Sequence, residues 1–256
     1  MTLKALIFDV DGTLAETEKN GHRIAFNLAF EENNLPWRWD VDTYGDLLEI
    51  GGGKERLRHY LEYYQPEFNT QEPLDKFIRH LHHKKSYYYH ELLSNNAIPL
   101  RIGVERLIIE AHRKGIILAI ASTASEENVK VLLHTSLGKE MSQYFAVIAA
   151  GDMVKNKKPA SDIYLLALEK LNISPENCLA IEDTNQGLIA ATNAGIKTII
   201  TVNDYSKNQN FDEAILVLNS LGETNLPFLV IKGNSYNHSY FNIDLAQKIC
   251  DETINY

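Results

Sequence analysis

The chain has 256 residues and a formal net charge of −9, with 45% hydrophobic and 23% charged residues. This composition is that of a soluble globular protein, long enough for one large domain or two modest ones. The acidic balance argues against general attraction to nucleic acid or to an acidic membrane, although a small anion can still find a locally basic site. Two cysteines, Cys178 and Cys250, are too few and too far apart for a disulfide framework or a thiolate metal site, and a reducing compartment is expected. The first apolar run is too short for a secretion signal or a membrane span. The expected location is the cytoplasm, or the plastid stroma in a photosynthetic eukaryote.

Residues 3–10, LKALIFDV, form a short apolar run suited to a buried parallel strand. Residues 16–98 contain no comparable run and predict amphipathic helices, the clearest over 22–33. Residues 104–114 repeat apolar side chains at Val104, Leu107, Ile108 and Ala111, a helical period. Strand patterns follow at 115–122, 145–152, 178–183 and 196–202. Helical patterns lie between them at 162–171 and 187–194, the latter closed by Gly195. Strands alternating with helices predict an α/β fold: a Rossmann-like, mostly parallel sheet covered on both faces. The helical stretch is too long for a loop and predicts an inserted α-helical cap domain at 16–98, with 1–15 and 99–256 forming the core. Residues 224–256 carry no motif that assigns them a role.

Ligands of open parallel sheets bind beyond the carboxyl ends of the strands. Asp9 and Asp11 lie there on the first strand, Ser122 on the second and Glu182-Asp183 on the fourth, while Lys158 follows the third in a loop. Two carboxylate clusters, a hydroxyl and an ammonium group suit magnesium-assisted phosphoryl transfer. Carboxylate oxygens hold a hard, partly hydrated cation. One carboxylate can attack phosphorus, and a second can move the proton.

Four segments in this order resemble the haloacid dehalogenase superfamily of phosphatases: Asp9-Val10-Asp11-Gly12-Thr13, Ser122, Lys158-Pro159 and Glu182-Asp183. GGGKERL at 51–57, IPLRIGVERLI at 98–108, KKPASDIYLLALEKL at 157–171 and the stretch 201–223 are similar to the branch holding beta-phosphoglucomutase and the CbbY-type sugar-bisphosphate phosphatases. Ser161 departs from that pattern where proline is usual, and STAS at 122–125 varies a Ser/Thr-rich stretch. Neither removes a catalytic group. The resemblance implies that Asp9 is the nucleophile and Asp11 the general acid and base. It implies that Mg2+ is held by Asp9, the Asp11 backbone carbonyl and Asp183, with Glu182 acting from behind. Ser122 and the Thr123 amide would grip the phosphoryl group and Lys158 would neutralise it.

Further candidates lie in the helical stretch. Glu18 and His22 are spaced to share a helix face. Gly51, Gly52, Gly53 and Lys54, with Arg56 nearby, could bring backbone amides and a cation to a phosphate. Lys84 and Lys85 offer further charge. His80, His82, His83 and His90 have no zinc spacing and read as surface residues. Of Tyr87, Tyr88 and Tyr89, at least one must pack inward.

The implied activity is hydrolysis of a small phosphorylated sugar, with xylulose 1,5-bisphosphate the first compound to try and no role for nucleic acid or membrane. The alternative is a hexose phosphomutase, in which a sugar hydroxyl rather than water takes the phosphoryl group from the same phosphoaspartate. A non-catalytic sugar-phosphate binder is disfavoured by the intact Asp9 and Asp11. A dehalogenase is disfavoured because that chemistry needs neither Asp11 nor a metal.

Overall fold

The computed structural model describes residues 2–50 and 52–251. The chain divides into two compact units, one running to Glu16 and resuming at Pro99, the other spanning Thr17–Ile98.

The Thr17–Ile98 unit is helical among its described residues. A π-helical turn at Thr17–His22 leads into α1 (Arg23–Glu32), followed by α2 (Val41–Leu47), α3 (Gly53–Tyr63) and α4 (Leu74–Ser94). α1 buries Ala25, Phe26, Ala29 and Phe30 on one face. The two phenylalanine rings lie 4.5 and 5.0 Å from the ring of Trp39, which is itself fully buried. Such aromatic pairs add about 0.5–1.5 kcal/mol each beyond the area they bury. They add to an aliphatic core that includes Leu47, Leu57, Leu61, Ile78 and Leu81. The helix predicted over 22–33 starts one residue later, because His22 belongs to the π-helical turn.

The other unit is built on a sheet. Its strands are β1 (Ala5–Phe8), β2 (Ile117–Ala121), β3 (Phe145–Ala149), β4 (Cys178–Glu182), β5 (Lys197–Thr201), β6 (Leu216–Leu218) and β7 (Val230–Gly233), in the order β3-β2-β1-β4-β5-β6-β7. Every neighbouring pair is parallel except β6 and β7. β1 is central: Ile7 pairs with Ala119 on one side and Ala180 on the other. All residues of β1 and β4 are buried, which is why both are apolar without alternation. The sheet is accompanied by α5 (Val104–Arg113), α6 (Glu126–Ser142), α7 (Asp162–Leu171), α8 (Asn185–Asn193) and α9 (Ile243–Asp251).

The five predicted strands are present, each somewhat shorter than its apolar run. Four elements were not predicted. β6 and β7 lie in the apolar runs 214–218 and 228–231, which carry a strand signature, but no motif marks them; β6 has only three residues and β7 is exposed along its whole length. α6 has its period broken at Gly138, which adopts φ 77° between two helical pieces. α9 does carry an amphipathic pattern. It buries Ile243, Leu245, Ala246, Ile249 and Cys250, and Lys197 Nζ donates to the carbonyls of Ile249 and Cys250 at its end. No described helix is long and apolar enough to cross a membrane.

The chain lays down β1, β2 and β3 in one direction and then crosses to β4 on the far side of β1. The order therefore reverses between β1 and β4. Parallel sheets open a crevice at such a reversal, beyond the carboxyl ends of the strands.

Candidate active site

Asp9 follows the last residue of β1, and its amide donates to the Ile181 carbonyl at 3.0 Å, so the β1–β4 ladder fixes it. Glu182 ends β4 and Asp183 comes next. Asp9, Glu182 and Asp183 are all buried, and one carboxylate oxygen of each lies within 4.8 Å of the others. Three buried carboxylates need compensation. Lys158 supplies part of it: its Nζ donates to Asp9 Oδ1 at 2.6 Å, Glu182 Oε1 at 2.5 Å and the Ala121 carbonyl at 2.9 Å. Those three bonds account for all three ammonium hydrogens. Burial works against the Lys158 charge, but Asp9 and Glu182 outweigh it and push its pKa above the ordinary lysine range.

Asp183 is held differently. Its Oδ2 accepts from Asn203 Nδ2 at 2.7 Å and its Oδ1 from Thr13 Oγ1 at 3.2 Å. Burial, helped by the Glu182 charge, pushes its pKa up to about 7. Burial likewise raises that of Asp9 well above the usual carboxylate range, against the pull of Lys158. A site that crowds carboxylates until they resist ionising is one a divalent cation would relieve. Glu182 is spoken for, since Oε1 takes Lys158 and Tyr164 and Oε2 takes the Asp183 amide at 3.3 Å. Asp9 and Asp183 are therefore the side chains that fit Mg2+, with Glu182 bracing them.

Gly12 lets this cluster close. It adopts φ +84°, and a Cβ there would lie 2.3 Å from Asp183 Oδ2. The DxDGT glycine is therefore required both for its backbone conformation and for room. Asp11, beside it, is partly buried.

Ser122 is fully buried directly after β2, and its Oγ accepts from the Ala124 amide at 3.1 Å. The hydroxyl thus shapes a tight turn. The N-cap of α6 is instead Ser125, which accepts from the Asn128 amide. Thr123 is exposed at the tip of this turn.

The residues predicted in the helical stretch also gather, within their own unit. The π-helical turn carries Glu18 and His22. Tyr44 Oη donates to Glu18 Oε2 at 2.6 Å, and the Arg56 guanidinium sits 5.9 Å from the Tyr44 ring centre. Lys85 Nζ lies 2.8 Å from His22 Nδ1, and the imidazole stacks on Tyr89 at 3.8 Å. Burial first, then the charge of Lys85, holds the His22 pKa well below the ordinary range. The ring is therefore neutral, and Nδ1 accepts from the ammonium. Lys85 is buried, with its Nζ 5.2 and 5.0 Å from the ring centres of Phe26 and Tyr89. Of the tyrosine run, Tyr89 is the one that packs inward and Tyr87 is exposed.

Gly52 and Gly53 open α3, Gly52 at φ +100° as its N-cap, and Lys54 is exposed in the first turn. Gly51 lies outside the described residues. Two expectations need correction. Lys84 does not join this cluster; it pairs at 2.7 Å with Glu32 on the surface. His82 is not a plain surface residue: a Cβ on Gly53 would lie 2.8 Å from its Nε2, and burial with Lys85 nearby pulls its pKa down to about 4.

Sequence reasoning missed Asn203, Thr13, Arg101 and Tyr164. Thr13 stands inside the first motif and could have been proposed from it. Asn203, Tyr164 and Arg101 lie in stretches that carry the resemblance, but their partners are distant in sequence, so no role could be read for them. The Arg101 guanidinium donates to the carbonyls of Gly12, Thr201 (2.8 Å) and Val202 (2.6 Å) and pairs with Glu16 at 2.9 Å. It thereby ties the loop after β1 to the end of β5.

The fold and this carboxylate–lysine cluster are those of a haloacid dehalogenase-like hydrolase, whose family model matches residues 3–195, and the chain belongs to that family. It is 44% identical over 221 residues to the protein CbbY of Cupriavidus necator, covering 86% of this chain and 87% of that protein. Crystal structures of CbbY from Rhodobacter sphaeroides, one with phosphate and one of a variant with xylulose 1,5-bisphosphate, match at 42% identity and a TM-score of 0.72. They cover 86% of this chain and 95% of theirs. The beta-phosphoglucomutase of Bacillus subtilis is more distant, 27% identical over 76% of this chain and 81% of its own length.

Proposed function

We propose that the chain is a magnesium-dependent phosphatase that removes one phosphate from a small sugar bisphosphate, with xylulose 1,5-bisphosphate as the substrate. The observation that carries this reading is the Lys158 ammonium shared between Asp9 and Glu182, with Asp183 alongside, at the reversal point of the sheet. The choice of sugar rests on the similarity to CbbY, a variant of which holds that bisphosphate in a crystal structure.

In this reading Asp9 attacks phosphorus, and the ester oxygen departs with a proton from Asp11. A phosphoaspartate remains on Asp9. Asp11, now a carboxylate, takes a proton from the water that attacks it, and inorganic phosphate leaves. Lys158 fixes the Asp9 carboxylate and offsets the charge gathering on the phosphoryl oxygens. Ser122 and the Thr123 amide bind that group from the β2 side. Asp9, the Asp11 carbonyl and Asp183 would hold Mg2+, which supplies Lewis-acid stabilisation of the phosphoryl oxygens. Glu18, His22, Gly52, Gly53, Lys54 and Lys85 of the helical unit bind the sugar and its second phosphate.

The test is phosphate release across a panel of sugar mono- and bisphosphates, with Mg2+ and with chelator, for the wild type and Asp9→Asn. The wild type is expected to turn over xylulose 1,5-bisphosphate only with metal. Asp9→Asn is expected to lose on the order of 10⁴-fold or more while keeping its fold, since Asn is nearly isosteric. Turnover without metal, or substantial activity in Asp9→Asn, sinks the reading.

A further inference from the structure

We propose that Tyr164 is a positioning residue for the phosphoryl-transfer site: its hydroxyl locks the Glu182 carboxylate in the orientation that holds Lys158 against Asp9. This rests on the function proposed above and goes beyond it, because it concerns a residue outside the four motifs.

Tyr164 stands in the first turn of α7, is fully buried, and donates to Glu182 Oε1 at 2.7 Å. That is the same oxygen that takes Lys158 Nζ at 2.5 Å. The ammonium also lies 5.2 Å from the centre of the Tyr164 ring. One side chain thus touches the Lys158–Glu182 pair twice, with its edge hydroxyl on the carboxylate and its π face towards the cation.

The carboxylate is confined elsewhere too. A Cβ on Gly187 would lie 2.0 Å from Glu182 Oε2, and the Asp183 amide reaches the same oxygen. Glu182 is therefore held from the α7 side by a hydroxyl and from the α8 side by packed backbone. Burial and the neighbouring carboxylate raise the Tyr164 pKa well above its ordinary value, so the phenol remains a donor at any working pH.

Without the hydroxyl, Oε1 keeps only the lysine and the carboxylate is held from the α8 side alone, so Oε1 can shift and draw Lys158 with it. The ammonium, still bonded to Asp9 and the Ala121 carbonyl, would then be less firmly fixed where phosphoryl charge develops, and preorganised charge is what stabilises a transition state. An ordinary core aromatic would need only the ring. The hydroxyl is what separates the two roles.

The experiment compares wild type with Tyr164→Phe, which keeps the ring and its packing. Purified holoenzyme with Mg2+ is assayed for kcat and KM on the bisphosphate, for inhibition by vanadate as a mimic of the five-coordinate transition state, and for melting temperature. The expected result is a roughly tenfold to hundredfold loss in kcat, the range of one hydrogen bond to a charged group. KM should stay within twofold, vanadate inhibition should weaken in parallel with kcat, and the melting temperature should change little. A kcat loss below threefold overturns the inference. So does a loss matched by a fall in melting temperature with vanadate inhibition unaltered, which is the signature of a merely structural tyrosine. An inactive wild type would instead refute the proposed function, so the two failures are distinguishable.

Discussion

The two polar clusters of this protein treat charge in opposite ways. In the sheet unit, Lys158 is matched by carboxylates within 2.6 Å, and anionic groups remain in excess. In the helical unit, Lys85 is buried against a neutral imidazole and two aromatic faces, with Arg56 over a tyrosine ring. Glu18 lies in that group, and Glu55 lies beside Gly52 and His82. In the proposed function the first cluster holds a cation and performs the chemistry, and the second meets the anionic end of the substrate. Reactive groups need to be compensated in advance, whereas a binding site for a phosphate is best left short of negative charge.

If the division is real, damage to the sheet unit should act on turnover and damage to the helical unit on selection. The larger effect belongs to Asp11→Asn, expected to lower kcat by about 10²–10⁴-fold, the range for general acid–base catalysis, while binding of Mg2+ and of the bisphosphate persists. Single-turnover kinetics with binding by calorimetry measure both. An unchanged rate would mean that proton transfer is handled elsewhere.

A smaller effect should follow from Lys54→Ala. Loss of one charge-assisted contact should raise KM for the bisphosphate roughly tenfold to hundredfold. Acetyl phosphate, which has no second phosphate, should be hydrolysed as before. Equal losses on both compounds would erase the division of labour between the units.

The smallest effect is on stability against pH, where the units should pull in opposite directions. His22 and His82 are neutral in the fold, with pKa values below those of the unfolded chain. The unfolded chain takes up protons below about pH 6.5 that the folded one refuses, so their contribution is lost as the solution is acidified. For His82 the loss runs down to about pH 4. Asp9 and Asp183 have raised values, so in metal-free protein they stabilise at low pH and that stabilisation is lost as pH rises, for Asp183 through about 7. Urea midpoints between pH 5 and 8 should therefore change little in chelator and fall towards acid in excess Mg2+. His22→Gln should flatten the second curve by about one proton. Identical curves with and without metal would deny the carboxylates their role.

The sheet site was legible in the sequence for a physical reason. Asp9, Ser122, Lys158 and Asp183 each sit at or just beyond a strand end or in the loop after one. Strand ends can be read from apolar runs, so topology alone converges them. Glu18, His22, Lys54 and Lys85 could be suggested but not joined, because helix rotation decides which face a residue occupies. Lys84 and Lys85 are neighbours in sequence, yet one pairs with Glu32 on the surface and the other is buried beside His22. Tyr164 and Asn203 could be given no role because their value lies in partners supplied by another strand. β7 and α9 were missed because no chemistry draws attention to them.

The position of β1 also governs how the protein comes to be made. It precedes both of its neighbours in the chain and lies between them, yet they begin only at Ile117 and Cys178, with the whole helical unit before them. A chain emerging from the ribosome carries this apolar strand unpaired while α1 to α4, which complete a compact unit within Thr17–Ile98, can already collapse. Pairings this distant in sequence are slow to form, and an unsatisfied strand is prone to aggregate in the interval. Until β4 docks, Asp9 has neither its lysine partner fixed by Glu182 nor its companion Asp183. The carboxylate cluster is thus incomplete until Asp183 has left the tunnel.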